Sequence, residues 1–174
     1  MMRRRREKIE LTGDEEQIVS FRLGKETFAV KVAQVREIGK VQDITHIPKM
    51  PEYVEGVMNL RGQITTVIDL KKRFGIISED GPKRTSQSRI IVAEIGEHQL
   101  GIIVDSVEDV MRVPRNSISP VPKTLSADLQ SSFLHGICKL QNKLIMLLDL
   151  EKIISEEGEM NMVISTGKGE KVEA

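Results

Sequence analysis

From about residue 16 to residue 156 the apolar positions fall in short, largely β-branched runs, each broken by a turn signal. That pattern predicts strands rather than helices, and an all-β fold. The runs are organised by an internal repeat. With the chain shifted by 72 residues, Leu23-Gly24-Lys25-Glu26-Thr27-Phe28-Ala29-Val30 lies over Ile95-Gly96-Glu97-His98-Gln99-Leu100-Gly101-Ile102. In the same register Val32, Val35, Glu37, Ile38 and Pro48 fall on Val104, Val107, Asp109, Val110 and Pro120. At a shift of 80, Gly56-Val57 meets Gly136-Ile137, Leu60 meets Leu140, Ile64 meets Leu144, and Val67-Ile68-Asp69-Leu70 meets Leu147-Leu148-Asp149-Leu150. The change of offset predicts an eight-residue insertion in the second copy, around Thr124 to Ser132.

Each copy predicts the same series of elements. A hairpin turning at Gly24 or Gly96 comes first. A short extended or turn-like link follows, through Val35-Arg36-Glu37-Ile38 or Val107-Glu108-Asp109-Val110. Next is a proline-marked strand, Ile44 to Pro48 or Ile118 to Pro122. A second hairpin closes the unit, 56–60 with 64–68 or 136–140 with 144–148. Its turn sets Gly62 over Asn142, two residue types that tolerate left-handed backbone. Five short strands close more readily into a barrel than they persist as an open sheet, because closure removes the edges. Asp69 and Asp149 suit the N-cap of a helix, where a carboxylate accepts the free amide hydrogens of the first turn. The helices expected behind them run from Leu70 to Phe74, stopping at Gly75, and from Leu150 to about Glu157, packed on the barrels. The expected organisation is a charged tail over 1–15, one barrel over 16–83, a second barrel with its helix over 84–157, and a flexible tail over 158–174.

Composition adds bounds. Aromatic residues make up 3% of the chain and Trp is absent, so the expected core is aliphatic. Lys plus Arg and Asp plus Glu both total 26, and a dedicated nucleic-acid binder usually carries a basic excess. Small barrels that bind nucleic acid also display aromatic stacking residues, which four Phe and one Tyr scarcely supply. The lone Cys138 excludes an internal disulfide and fits a reducing compartment. No apolar run approaches the roughly 18 residues that span a bilayer, and the basic start, Arg3 to Arg6, has no apolar stretch behind it as a signal peptide would. A soluble, cytoplasmic protein is expected.

No reaction centre assembles from the sequence. His46, His98 and His135 lack paired ligand spacing, so no metal is expected. Cys138 stands at an apolar strand position without an adjacent base. Asp105, Glu108 and Asp109 lack the pattern of a calcium loop. There is no phosphate-binding glycine motif, so neither a cofactor nor an enzyme is expected.

If duplication built the chain, positions that differ between the copies are the better candidates for function. The turn Asn59-Leu60-Arg61-Gly62 faces Lys139-Leu140-Gln141-Asn142, and a turn needs neither the arginine nor the asparagine; Arg61 therefore stands out. The block Gly56-Val57-Met58-Asn59-Leu60-Arg61-Gly62-Gln63-Ile64, ending in Val67-Ile68-Asp69-Leu70, resembles the signature of the CheW family of chemotaxis coupling proteins. Val35-Arg36-Glu37-Ile38 upstream and Gly101-Ile102-Ile103-Val104-Asp105 downstream fit the same family, and the likeness covers about residues 16 to 156. The resemblance implies two five-stranded SH3-like barrels. It also implies an adaptor that links transmembrane chemoreceptors to the histidine kinase CheA. Such a protein binds the kinase's homologous regulatory domain and the cytoplasmic receptor tip. The balanced charge and the lack of any heptad or long exposed apolar element predict a monomer in isolation. Residues matching Val35, Glu37, Gly56 and Arg61 belong to the family's receptor-binding set. A helical receptor tip needs an apolar floor and polar anchors, which Val35 and the oppositely charged Glu37 and Arg61 can supply.

Overall fold

The computed structural model describes residues 14–76, 84–122 and 133–153. Eleven strands are distributed over two sheets. The first part of the chain supplies β1 (Glu15–Leu23), β2 (Glu26–Lys31), β3 (Val35–Lys40), β4 (Val54–Leu60) and β5 (Gln63–Asp69), followed by helix α1 (Leu70–Phe74). The second part supplies β6 (Arg89–Ile95), β7 (His98–Val104), β8 (Ser106–Pro114), β9 (Ile118–Ser119), β10 (Leu134–Leu140) and β11 (Lys143–Leu148), with helical residues at 150–153. One sheet has the order β3-β6-β7-β5-β4 and the other β8-β1-β2-β11-β10-β9. These are the two SH3-like barrels; the first has the expected five strands, and the other is corrected to six by the two-residue β9.

Their strand orders correspond element by element under the repeat, with one exchange. The β1–β2 hairpin of the first copy sits in the barrel of β8 and β10–β11, joined by the parallel pair β2–β11. The β6–β7 hairpin of the second copy sits with β3 and β4–β5, joined by the parallel pair β5–β7. The expectation of one barrel over 16–83 and another over 84–157 is therefore corrected: each barrel draws strands from both halves. A repeat specifies which strands form a unit's surface, but either copy's hairpin presents the same apolar pattern to the closing strands. Sequence periodicity alone cannot tell self-closure from exchange.

The exchange explains why most strands are buried on both faces. In β1, Ile18 points into its own barrel, among Ala29, Val113, Cys138, Ile145 and Leu147. Its neighbours Val19, Phe21 and Leu23 point the other way, into a larger cluster that takes residues from both sheets and so lies between the barrels. In β6, likewise, Ile90 and Val92 fill the first barrel with Met58, Val67 and Ile103. Ile91 and Ala93 join the central cluster.

That central cluster is mostly aliphatic, as expected, and adds one aromatic feature. All four phenylalanines meet there in one ladder: Phe21 to Phe28 at 6.2 Å, Phe28 to Phe74 at 5.8 Å and Phe74 to Phe133 at 6.0 Å between ring centroids. The guanidinium of Arg73 lies 4.6 Å from the Tyr53 ring and 4.7 Å from the Phe133 ring, tying α1 to both copies. The few phenylalanines are thus concentrated at one place.

Other expectations divide. Gly24 and Gly96 turn their hairpins at φ 63° and 61°. Both aspartates cap: Asp69 Oδ1 accepts from the Lys71 amide at 2.9 Å and the Lys72 amide at 3.3 Å, and Asp149 Oδ1 from the Lys152 amide at 3.2 Å. The link segments are full strands, β3 and β8. The proline-marked strands shrink, because proline cannot donate to a ladder. Ile118–Ser119 alone remains of one, and a single bridge from Thr45 to Val57 of the other. The expected first tail is one residue shorter, since Glu15 opens β1. Residues 1–13 of that tail, the insertion near 124–132, the end of the second helix and the tail over 158–174 lie outside the described residues.

Asp69 also supports a pH prediction. Burial, and the charge of Glu55, push its carboxyl above the ordinary range against the pull of the Lys72 and Lys71 amides. A carboxyl raised on folding costs stability once pH climbs through its folded value and costs nothing below its unfolded value. Asp69→Asn keeps an acceptor for the helix amides without the buried charge. It should equal or exceed the parent in urea unfolding at neutral pH, with the advantage fading as pH falls into the carboxylate range. Asp69→Ala, which loses the cap, should cost about 1 kcal/mol.

Candidate functional site

The two edge strands of the first barrel are β3 and β4, and the candidate residues lie along them and on the turn beyond. Val35 and Glu37 of β3 are half-buried, and Val35 packs against the central cluster. A register shift between them sets Val35 opposite Ala93 and Glu37 opposite Val92, leaving Arg36 on the bulge. There Arg36 donates to Glu94 Oε2 at 2.6 Å, which also accepts from the Gln99 amide at 2.9 Å. Gln99, then Arg36, hold the Glu94 carboxyl below its ordinary range.

Arg61 comes to this strand from the other edge. It sits in the two-residue β4–β5 turn, at φ 53°, with Gly62 at φ 84°. Its Nη2 lies 3.5 Å from Glu37 Oε2, so the two charged residues picked from the sequence form one pair across the seam of the barrel. The side chain of Arg61 is 68% exposed and that of Glu37 32%. The second carboxylate oxygen of Glu37 is buried with no hydrogen-bond partner; among the described residues no other buried side-chain oxygen or nitrogen is left so. In the second barrel the corresponding residues are Asp109 and Gln141, which line a cleft of about 450 Å³ with Val110, Leu140 and Lys143. The ion pair is specific to the first barrel.

Gly56 has a different place. It is buried in β4 at φ 143°, and a Cβ there would lie 2.0 Å from the carbonyl oxygen of Thr45. The residue lets the 45–57 bridge form, with Thr45 donating to Val57 at 2.8 Å and accepting from it at 2.9 Å. Its repeat partner Gly136 is also crowded, less tightly, with a Cβ there 2.6 Å from an Ile118 methyl and 2.8 Å from the Ser119 carbonyl oxygen, so the glycine serves the fold in both copies. Nearby, Glu55 accepts from Lys72 Nζ at 2.8 Å and pairs with Arg84 at 2.8 Å. Burial raises its carboxyl, yet those two partners together hold it below the ordinary range.

Two features were missed in the sequence. Asn59 Oδ1 accepts from the Gly62 amide at 2.9 Å, so the turn does use its asparagine. The large apolar side chains left exposed among the described residues are Ile38 (40%), Ile64 (48%), Val110 (59%) and Leu144 (55%). They are two repeat-related pairs, one on each barrel, and the pairing was already visible in the alignment of the copies. Cys138 is buried in the second barrel. Among the described residues no helix is long and apolar enough to cross a membrane, and no three metal-ligating side chains converge.

A family model for the CheW-like domain matches residues 17–158. A probable chemotaxis protein CheW of Rhizobium etli is 38% identical over 144 residues, covering 83% of this chain and 90% of the relative. The chemotaxis protein CheW of Thermotoga maritima is 36% identical over 140 residues, 80% of this chain and 88% of its own. The crystal structure of the scaffolding protein TtCheW from Thermoanaerobacter tengcongensis superposes with a TM-score of 0.69 at 41% identity, covering 76% of this chain and 83% of that one.

Proposed function

The chain belongs to the CheW family of chemotaxis scaffolding proteins, and on that premise we propose that it couples transmembrane chemoreceptors to the histidine kinase CheA. The observation that carries the receptor half is the Glu37–Arg61 pair. It is open to solvent, spans the seam of one barrel, and has no ionic counterpart in the other. A helical receptor tip laid along β3 meets Val35 as apolar surface and the two charges as anchors. The guanidinium offers a planar set of donors, and the 3.5 Å separation from Glu37 leaves them free to turn toward a partner. Gly56 contributes indirectly, by holding β4 in place.

The exposed pairs Ile38 and Ile64, Val110 and Leu144 support the kinase half. One apolar pair on each barrel suits contacts made through both, as binding to a regulatory domain of the same double-barrel fold requires. The protein works in the cytoplasm, reaches the membrane through receptors, and is monomeric alone. A stable homodimer in light scattering at micromolar concentration would contradict the last point. The role itself is tested by passing the purified protein over immobilised receptor-tip and CheA regulatory-domain fragments. Retention on both is expected, and retention on neither removes the reading.

A further inference from the structure

We infer that Asn59 is a positioning residue for Arg61, which deepens the receptor-binding reading and rests on it. Arg61 and Gly62 are consecutive left-handed residues, and an L-residue pays about 1–2 kcal/mol for that backbone region. Glycine meets the requirement at the second position only. The ion pair to Glu37 is too long, at 3.5 Å, to fix the arginine by itself. The side chain of Asn59 adds a bond that the second copy lacks: its amide oxygen accepts from the Gly62 N–H at 2.9 Å and closes the connection from the outside. Leu60, next in β4, packs on the interior of the first barrel and anchors the turn from within. With both sides held, Arg61 projects across the seam onto β3.

The second copy shows what happens without the device. Lys139 replaces Asn59, and an ammonium group has no acceptor to offer an amide. That turn keeps its left-handed pair, Gln141 at φ 49° and Asn142 at φ 62°, so the hairpin forms without the side-chain bond. Asn59 is therefore unnecessary for making the hairpin. Its difference from Lys139 coincides with the difference between Arg61 and Gln141: the copy that carries the exposed arginine also carries the residue that orients it.

The test has two arms. In the free protein, NMR should show contacts between the Arg61 side chain and Glu37 in the parent and in Asn59→Asp, whose carboxylate keeps the acceptor. In Asn59→Ala those contacts should be lost and the Arg61 side chain become mobile, with melting temperature little changed. Undisturbed contacts in Asn59→Ala overturn the inference whatever the protein binds. In titrations against a receptor-tip fragment, Asn59→Ala should bind 5- to 10-fold more weakly and Asn59→Asp within about 2-fold of the parent, the range expected for one turn-fixing hydrogen bond. Asn59→Ala added to Arg61→Ala should cause no further loss, and an additive loss overturns the inference. If the NMR arm succeeds while the parent itself fails to bind, the receptor reading fails and the positioning of Arg61 stands.

Discussion

Phe28→Ala should be among the most damaging single substitutions in the protein, lowering stability by about 3–5 kcal/mol. Phe28 is fully buried and stands in the middle of the ladder, with Phe21 on one side and Phe74 on the other. Truncation leaves a cavity where the β1–β2 hairpin, exchanged into the second barrel, meets α1 of the first. Ring contacts with two neighbours add to the area lost, by about 0.5–1.5 kcal/mol each. For a protein of this size every kcal/mol moves the melting temperature by roughly 2–4 °C, so a drop on the order of 10 °C is expected. The exchange makes a further demand: the two barrels should unfold in one transition, because neither has a complete sheet without the other half's hairpin. Thermal unfolding of Phe28→Ala in two separate steps, or a loss below 1 kcal/mol, would show that the barrels are independent.

Gly56→Ala should cost about 3–4 kcal/mol, from strain at positive φ and two lost backbone hydrogen bonds. The added methyl would meet the Thr45 carbonyl oxygen at 2.0 Å and its carbon at 2.7 Å, and backbone atoms held by a bridge cannot rotate aside. The bridge must open, freeing the segment before β4. Gly136→Ala is the comparison: its nearest obstacle is a methyl of Ile118 at 2.6 Å, and it carries no positive φ, so the loss should be smaller. Chemical denaturation of the two variants measures the difference. Receptor binding by Gly56→Ala should fall together with stability, whereas loss of binding at full stability would make Gly56 a direct contact.

Much of this molecule was legible before any coordinates. The repeat located both hairpins of each unit, the Gly24 and Gly96 turns and the Asp69 and Asp149 caps, because these depend on local chemistry that two copies display twice. What stayed hidden depends on which distant segments meet. The hairpin exchange leaves the apolar pattern unchanged, since Phe28 and Leu100 are buried whichever copy closes the barrel. The phenylalanine ladder gathers residues from positions 21 to 133 that share no sequence neighbourhood. At the candidate site, comparison of the copies singled out Arg61, and family resemblance added Glu37. Only the fold shows that they meet. Gly56 read as a member of a binding set, and its reason is the carbonyl of Thr45. Asn59 was passed over because hairpin turns form without it; its hydrogen bond orients a neighbour instead of making the turn.

The central claim is that Arg61 is a binding anchor which the fold does not need. Its most direct test is titration of a receptor-tip fragment with Arg61→Ala beside Gln141→Ala, the same turn position in the other barrel. Both variants should melt within about 0.5 kcal/mol of the parent, as exposed positions do. Arg61→Ala should lose about 1–3 kcal/mol of binding free energy, the worth of charge-assisted hydrogen bonds desolvated on docking, while Gln141→Ala loses almost none. Equal affinities for the two variants, or a marked loss of stability in Arg61→Ala, would contradict it.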